Sequence, residues 1–237
     1  FDPDLAMALG TFASTLVALG QREEALAAGE EACNLYRTLA QARPDAFNPN
    51  LATALNNLSV LLSNIGRREE ALAAAEESVK LERALAQTRP STFYPDLALS
   101  LNTLANGLSE VGRREEALAA AEECVTIRRV LAQTQEGFTP DLAAALLNLA
   151  NRLSNLGRRE EALVADEEAI NLLRTLAQAR PDTSNPNLAT ALNNVALRLS
   201  ALGRREEALT AAMEAVAIRR ALALTWPKAF NSDLAAA

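Results

Sequence analysis

Hydrophobic residues recur along the chain with the period of an amphipathic helix. In one stretch they stand four, three, four and three residues apart, at Leu51, Leu55, Leu58, Leu62 and Ile65. That spacing places an apolar stripe along one side of a helix, which we call helix A. A second stretch, from about Arg68 to Gln87, carries small and apolar residues on one side and predicts a helix B. The pattern therefore predicts a helical hairpin.

This hairpin is repeated five times. The repeats are marked by glycines spaced 46, 46, 45 and 46 residues apart, at Gly20, Gly66, Gly112, Gly157 and Gly203. Residues 66–77 and 112–123 are identical. Because one hairpin cannot bury its own apolar face, stacked copies must complete the core. We predict a single all-α solenoid with repeats of about 1–46, 47–92, 93–137, 138–183 and 184–229, and with 230–237 beginning a sixth.

Local signals suggest where each helix begins and ends. An Asp or Asn precedes each leucine stripe and is expected to cap helix A, which would then be about 16 residues long. These predicted caps are Asp4, Asn50, Asp96, Asp141, Asn187 and Asp233. The turn glycines are expected to be left-handed. Helix B should end at the Arg-Pro pairs Arg43-Pro44, Arg89-Pro90 and Arg180-Pro181.

A phenylalanine usually follows this connection. These are Phe47, Phe93, Phe138 and Phe230. We expect the rings to fill the groove between successive repeats, and stacking on a ligand is the alternative.

The repeats resemble the tetratricopeptide repeat. In the second copy the residues that carry the resemblance are Leu55, Leu58-Ser59, Leu62, Gly66, Ala71 and Ser78. Leu and Ala replace the usual aromatic residues, and the period is 45–46 rather than about 34 residues. The long form is similar to kinesin light chains and to arrays attached to nucleotide-binding ATPases or caspase-like proteases. The resemblance implies a right-handed superhelical α-solenoid with helices A lining its inner face.

The composition of the chain argues against several kinds of partner and site. The net charge of −7 argues against nucleic acid or an anionic membrane as partner. With no histidine, no phosphate loop and no Gly-x-Ser-x-Gly motif, we expect neither an enzyme nor a metal or cofactor site. Cys33 and Cys124 are interpreted as core residues, with a disulfide or redox role as the alternative. No signal segment and no run of 18 apolar residues is present, so we expect a cytoplasmic protein without a membrane anchor.

A stripe of asparagines is predicted opposite the leucines of helix A. The candidate ligand contacts are Asn56, Asn57, Asn102, Asn106, Asn148, Asn151, Asn193 and Asn194. Asn is a mediocre helix former, and its amide can donate to and accept from the backbone of an extended peptide. The alternative is a solvated face or bonding between repeats. Family members that bind acidic chaperone tails use Lys and Arg on this face, where this chain offers only Arg152 and Arg198 nearby.

Two series of arginines alternate with glutamate pairs. They are Arg22, Arg68, Arg114, Arg159 and Arg205, and Arg37, Arg83, Arg129, Arg174 and Arg220. We interpret them as a solvated face with ion pairs between repeats, against the alternative of a charged patch for a partner.

These features predict a protein-interaction scaffold that binds an extended peptide or partner segment along the helix A groove. The alternatives are a sensor or regulatory arm of a larger signalling ATPase or protease, and a bare spacer. The first helix A and the last helix B expose apolar positions, so copies are also expected to pack end to end.

Overall fold

The computed structural model describes residues 2–225, without the side chains of Asp182 and Thr183. Within that range the chain forms ten α-helices and no strand. The helices are α1 (Pro3–Ala18), α2 (Arg22–Ala42), α3 (Pro44–Asn64), α4 (Arg68–Thr88), α5 (Pro90–Glu110), α6 (Arg114–Thr134), α7 (Thr139–Asn155), α8 (Arg159–Ala179), α9 (Pro181–Ala201) and α10 (Arg205–Thr225). A 3₁₀ helix, Glu136–Phe138, precedes α7. Odd-numbered helices are helices A and even-numbered ones are helices B, which confirms the all-α prediction.

The helices group into two compact units, divided between Ile127 and Arg128 inside α6. In the first unit, α1 to α5 pack in sequence, each on the next, and α3 also contacts α5. In the second unit, α7 to α10 pack in the same consecutive way. The predicted leucine stripe of α3 is buried in the first core, with Leu55 fully covered.

Each turn glycine is left-handed, as predicted, with φ between 76° and 83°. At the second turn, the Gly66 N–H donates to the Ser63 carbonyl at 2.9 Å and the Arg67 N–H donates to the Leu62 carbonyl at 3.0 Å. These two bonds satisfy carbonyls that the end of the helix would leave open. The glycine is therefore required by the backbone of the turn.

The predicted start of helix A is wrong in most copies. Helices α3, α5 and α9 begin at the prolines of the Arg-Pro pairs and are 21 residues long, so Asn50, Asp96 and Asn187 lie inside them. Proline suits the first position of a helix because its φ is preset and its missing N–H has no partner there. In α1 the cap is Asp2, whose carboxylate accepts from the Asp4 N–H at 2.9 Å.

Helix α7 also begins before its predicted cap. It starts at Thr139, so Asp141 lies in its first turn. Asp233 lies outside the described residues.

The end of helix B follows the prediction. Helices α2, α4 and α8 stop directly before Arg43, Arg89 and Arg180. One extended residue, with φ near −140°, therefore joins each of these helices to the next helix A.

The phenylalanines after this connection belong to the core. Phe93 is buried, and Phe47 packs partly buried against the first core. The guanidinium carbons of Arg43 and Arg89 lie 4.9 Å from the ring centres of Phe47 and Phe93. A buried ring is not available for ligand stacking. Phe138 is half-buried, and Phe230 lies outside the described residues.

Both cysteines are buried and neither forms a disulfide. Burial raises the pKa of the Cys33 thiol to about 12, so the thiolate needed for nucleophilic or redox chemistry is scarce at neutral pH. Both therefore serve as core residues, as the sequence predicted.

Candidate functional site

A concave cavity of about 650 Å³ lies between the helices A of the first two repeats. Its walls come from α1 and α3, and its floor from α2. We call it groove 1. The wall residues include Met7, Gly10, Thr11, Ser14 and Val17 from α1 and Asn50, Thr53, Asn57 and Val60 from α3, over the floor residues Gly29, Ala32 and Tyr36.

The small floor residues explain the depth of groove 1. Ala32 is one of the small residues of helix B that the sequence placed on its buried side, and Gly29 carries no side chain at all. Tyr36 closes the floor one helical turn further on. Because the floor is low while Met7 and Val60 stand exposed on the two walls, the cavity can admit an extended chain.

The lining of groove 1 is polar but uncharged, since no Asp, Glu, Lys or Arg is among the described residues that line it. The hydroxyls of Thr11, Ser14 and Thr53 donate to the carbonyls four residues earlier in their own helices, at 3.1–3.2 Å. Their oxygens therefore remain available to accept hydrogen bonds from a ligand. The exposed Asn57 amide can both donate and accept. This chemistry suits the backbone of a segment with uncharged side chains.

The predicted asparagine contacts do not share one environment. Asn57 lies on the wall of groove 1 and is exposed, while Asn106 and Asn151 are also exposed in their own repeats. Asn56 is only 6% exposed, and its Oδ1 has no hydrogen-bond partner in the described part of the chain. Asn56 is therefore part of the interior in this structure. The remaining members, Asn102, Asn148, Asn193 and Asn194, are partly buried.

A buried ion pair occupies the second unit. Asp166 of α8 is fully buried, and its Oδ2 accepts from Nε of Arg198 in α9 at 2.5 Å. Arg198 also donates to Oδ1 of Asn151 in α7 at 2.8 Å. Burial raises the pKa of Asp166, and the ion pair with Arg198 opposes that shift. Because Arg198 is already neutralised by Asp166, it is poorly suited to bind a ligand carboxylate.

The sequence analysis missed one position on the floor of the grooves. It lies 16 residues after each turn glycine and is occupied by Tyr36, Glu82, Arg128, Leu173 and Arg219. Tyr36 shows that this position faces groove 1. The sequence does carry a signal for this position. Its residue is aromatic, acidic, basic or aliphatic in different copies, while the residues directly after each turn glycine hardly change.

The outer arginines form the predicted ion pairs between repeats. The pairs are Arg37–Glu77, Arg83–Glu123, Arg129–Glu168 and Arg174–Glu214, at 2.5–2.7 Å. In the turns, the paired arginine is one position earlier than the predicted one. Arg67, for example, pairs with Glu70 in place of the predicted Arg68. All of these side chains are substantially exposed, so each pair contributes little to stability.

Across residues 2–225, no group of three or more His, Cys, Asp or Glu side chains is arranged to hold a metal ion. None of the described helices combines the length and the apolar character needed to cross a membrane.

Comparison with known proteins gives the family. The tetratricopeptide repeat model matches residues 5–44, 51–88, 97–133, 142–180 and 188–223. A search of curated proteins found no match.

Several solved structures are similar in fold. One is a kinesin light chain-like protein with nearly identical TPR-like repeats from Podosopora anserina, with a TM-score of 0.73 and 22% identity over 95% of this chain and 98% of that one. BtubC from P. vanneervenii has a TM-score of 0.66 and 21% identity, over 85% of this chain and 74% of its own. YrrB, described as a TPR protein with an unusual peptide-binding site, has a TM-score of 0.52 and 19% identity over 94% and 92%. With five matched repeats that cover most of its length, the chain belongs to the tetratricopeptide repeat family.

Proposed function

We propose that this chain is a protein-interaction scaffold that binds an extended peptide or partner segment along the groove formed by its helices A. The observation that carries the proposal is groove 1, a cavity of about 650 Å³ whose walls are two neighbouring helices A. Its uncharged lining and the exposed Asn57 amide fit a peptide backbone flanked by apolar side chains. In this proposal the five repeats, divided at about residues 46, 92, 137 and 183, are the units of recognition.

The family and the charge support the same class of partner. Tetratricopeptide repeats are commonly protein-interaction modules, and YrrB, one of the structural neighbours, is described as having a peptide-binding site. A net charge of −7 favours a protein or peptide over nucleic acid or an anionic membrane. We expect the chain to act in the cytoplasm, without a cofactor and without catalysis of its own. A regulatory arm of a larger ATPase or protease would hold its partner domain through the same groove.

Filling groove 1 tests the proposal without disturbing the fold. Gly10 lies on the wall within α1, and a Cβ placed there meets nothing within 4 Å. Gly10→Leu should therefore occupy the cavity, and it should favour the helix by about 0.5–1 kcal/mol because glycine is a poor helix former. Ala27→Leu is the matched control, since Ala27 is exposed on α2 and does not line groove 1.

The measurement uses peptides selected from a random 12-residue display library on the unmodified protein. The Gly10→Leu variant should bind these peptides at least tenfold more weakly, whereas the Ala27→Leu variant should bind them as the parent does. Equal binding by all three proteins would reject groove 1 as the site. Failure to enrich any peptide would reject peptide binding itself.

A further inference from the structure

Helices α3 and α5 pack over α4 one repeat after groove 1, and we call the surface between α3 and α5 groove 2. Glu82 stands 46 residues after Tyr36, and Asp96 stands 46 residues after Asn50. Tyr36 and Asn50 both line groove 1. Repeat equivalence therefore places Glu82 on the floor of groove 2 and Asp96 at its edge. We call Glu82 and Asp96 the acidic pair.

The buried member of the acidic pair lacks a partner. Glu82 is 1% exposed, and its Oε2 has no hydrogen bond within the described part of the chain. Asp96 is exposed and close enough to act on Glu82, because its charge adds to burial in raising the pKa of Glu82 to about 7. A buried carboxylate beside a second carboxylate is unfavourable, so Glu82 either holds a proton or needs a cation beside it.

Other acidic groups at repeat junctions have such a cation. Asp141, the residue that matches Asp96 in the next copy, lies 3.4 Å from Arg128, which itself matches Glu82. Buried Asp166 has Arg198. Two basic residues of α4, Lys80 and Arg83, follow Val79. They line a separate cavity between α4 and α6. Glu82 and Asp96 thus occupy the positions that form an ion pair in the next repeat, but both of them are acids.

Building on the proposed function, we propose that groove 2 is a subsite for a lysine or arginine side chain of the bound segment, with Glu82 and Asp96 as its countercharges. An ammonium group brings three donors and no acceptor, and a guanidinium brings five, so either can bond the two carboxylates of the acidic pair. The cation meets exposed Asp96 first, and the Glu82 side chain turns toward it. Any proton held by Glu82 passes to the buffer as the cation binds.

The subsite makes recognition depend on two neighbouring grooves with different preferences. Groove 1 accepts an uncharged side chain, and groove 2 accepts a basic one. The partner is then a segment that carries an apolar residue followed or preceded by Lys or Arg, spaced to reach adjacent repeats.

The test compares a selected peptide with its neutral analogue. Peptides are enriched from the random 12-residue display library on the unmodified protein, and the basic residue of the best binder is replaced by norleucine. Calorimetry should show about a tenfold loss of affinity, the size expected for a charge-assisted hydrogen bond. The same replacement should change affinity less than twofold in the Glu82→Gln/Asp96→Asn variant, because the countercharges are gone. Glu69→Gln, an exposed change on the same helix, should retain the tenfold loss.

The outcomes separate the subsite from the proposed function. Enriched peptides without a preference for Lys or Arg, or a norleucine analogue that binds the unmodified protein equally well, would overturn the acidic subsite and leave peptide binding intact. The same tenfold loss in the double variant would place the cation elsewhere and also overturn the subsite. A library that yields no binder would overturn both proposals together.

Discussion

The Gly29 backbone lies directly beneath the Leu61 side chain, so close that a Cβ on Gly29 would be 2.6 Å from the Leu61 Cδ1. Gly29 is nine residues after one turn glycine, and Leu61 is five residues before the next. In the second unit the same two positions hold Asp166 and Arg198, joined by the buried ion pair. These two copies therefore fill the same two positions differently, one with a large side chain over a glycine and the other with an ion pair.

This relationship predicts the result of exchanging one pair for the other. Arg198→Leu alone should lower the free energy of unfolding by about 3–5 kcal/mol, because it leaves Asp166 buried without its cation. Adding Asp166→Gly recreates the Gly29–Leu61 combination and should recover most of that loss. Urea unfolding of the two single variants and the double variant measures the coupling.

Arg204→Leu serves as a control for this exchange, because its ion pair with Glu207 is exposed. It should change stability by less than about 1 kcal/mol. A double variant that is no more stable than Arg198→Leu would show that the two positions are not coupled.

Glu82 should make stability depend on pH. Its pKa of about 7 in the folded protein is above the ordinary value of 4.5, so the folded state holds its proton more tightly than the unfolded state. The stability that this proton contributes is present below the unfolded pKa and is lost as pH rises toward 7. Between pH 4.5 and 7.5, the loss should be about 2–3 kcal/mol.

Glu82→Gln should remove this part of the pH dependence, because its amide does not titrate. The difference in unfolding free energy between the variant and the parent, measured at pH 5 and pH 8, isolates Glu82 from other groups that titrate. An identical slope in the two proteins would contradict the raised pKa.

Neighbouring Asn56 and Asn57 should respond differently to truncation. Asn57→Ala should weaken a selected peptide by about 0.5–1.5 kcal/mol with little loss of stability, because the side chain is exposed on the wall of groove 1. Asn56→Ala should leave peptides that occupy only groove 1 unaffected. Calorimetry on both variants checks this contrast. The solvated-face interpretation requires that Asn57→Ala, and also Asn148→Ala/Asn194→Ala, bind as the parent does.

A side chain at a turn glycine should lower the stability of the fold. Gly112 has φ +83°, where alanine is strained, so Gly112→Ala should lower stability by about 1 kcal/mol and leave peptide affinity unchanged. Gly137 offers the comparison, because its φ is not positive and a Cβ there meets nothing within 4 Å. Thermal unfolding should therefore separate Gly112→Ala from Gly137→Ala, and equal midpoints would contradict the assigned role.

Self-association should follow from two apolar faces. Phe12 is 55% exposed in α1, although its counterpart in the second repeat, Leu58, is 8% exposed. Leu209 is 62% exposed in α10, although its counterpart Leu72 is 4% exposed. Interior copies bury these positions against a neighbouring repeat, so we propose that a second copy covers them end to end.

Such contacts would give open chains that grow with concentration. Phe12→Glu or Leu209→Glu should each reduce the average mass measured by light scattering at high concentration. Glu69→Gln, which alters an exposed charge, should not. A parent protein that stays monomeric at all concentrations would remove the proposal.

The parts of the fold that could be predicted are those set by local sequence. The leucine stripe of α3 and the left-handed conformation of Gly66 each depend on a few neighbouring residues. The start of α3 was misplaced because Asn50 resembles a cap, while Pro44 at the first helical position and the packing of Phe47 favour an earlier beginning. Tertiary contacts decide which of these competing local signals sets the start of the helix.

The site was harder to predict for the same reason. Helical projection placed Asn56 and Asn57 on one face, but α3 is covered by neighbouring helices on several sides, so Asn56 is buried and Asn57 is not. The close packing over Gly29 depends on Leu61, which belongs to the next repeat. No single repeat contains both members of that pair.

The one-residue joints at Arg43, Arg89 and Arg180 leave the chain no slack between repeats. An inserted or deleted residue that is not taken up by rebuilding the joint would rotate the following helix by about 100° and carry its leucine stripe out of the core. The one spacing of 45 residues coincides with the 3₁₀ helix at Glu136–Phe138, which replaces the usual proline joint. A change of one residue therefore requires a rebuilt joint, whereas a whole added or lost hairpin keeps the register and changes the reach of the protein along a partner in fixed steps.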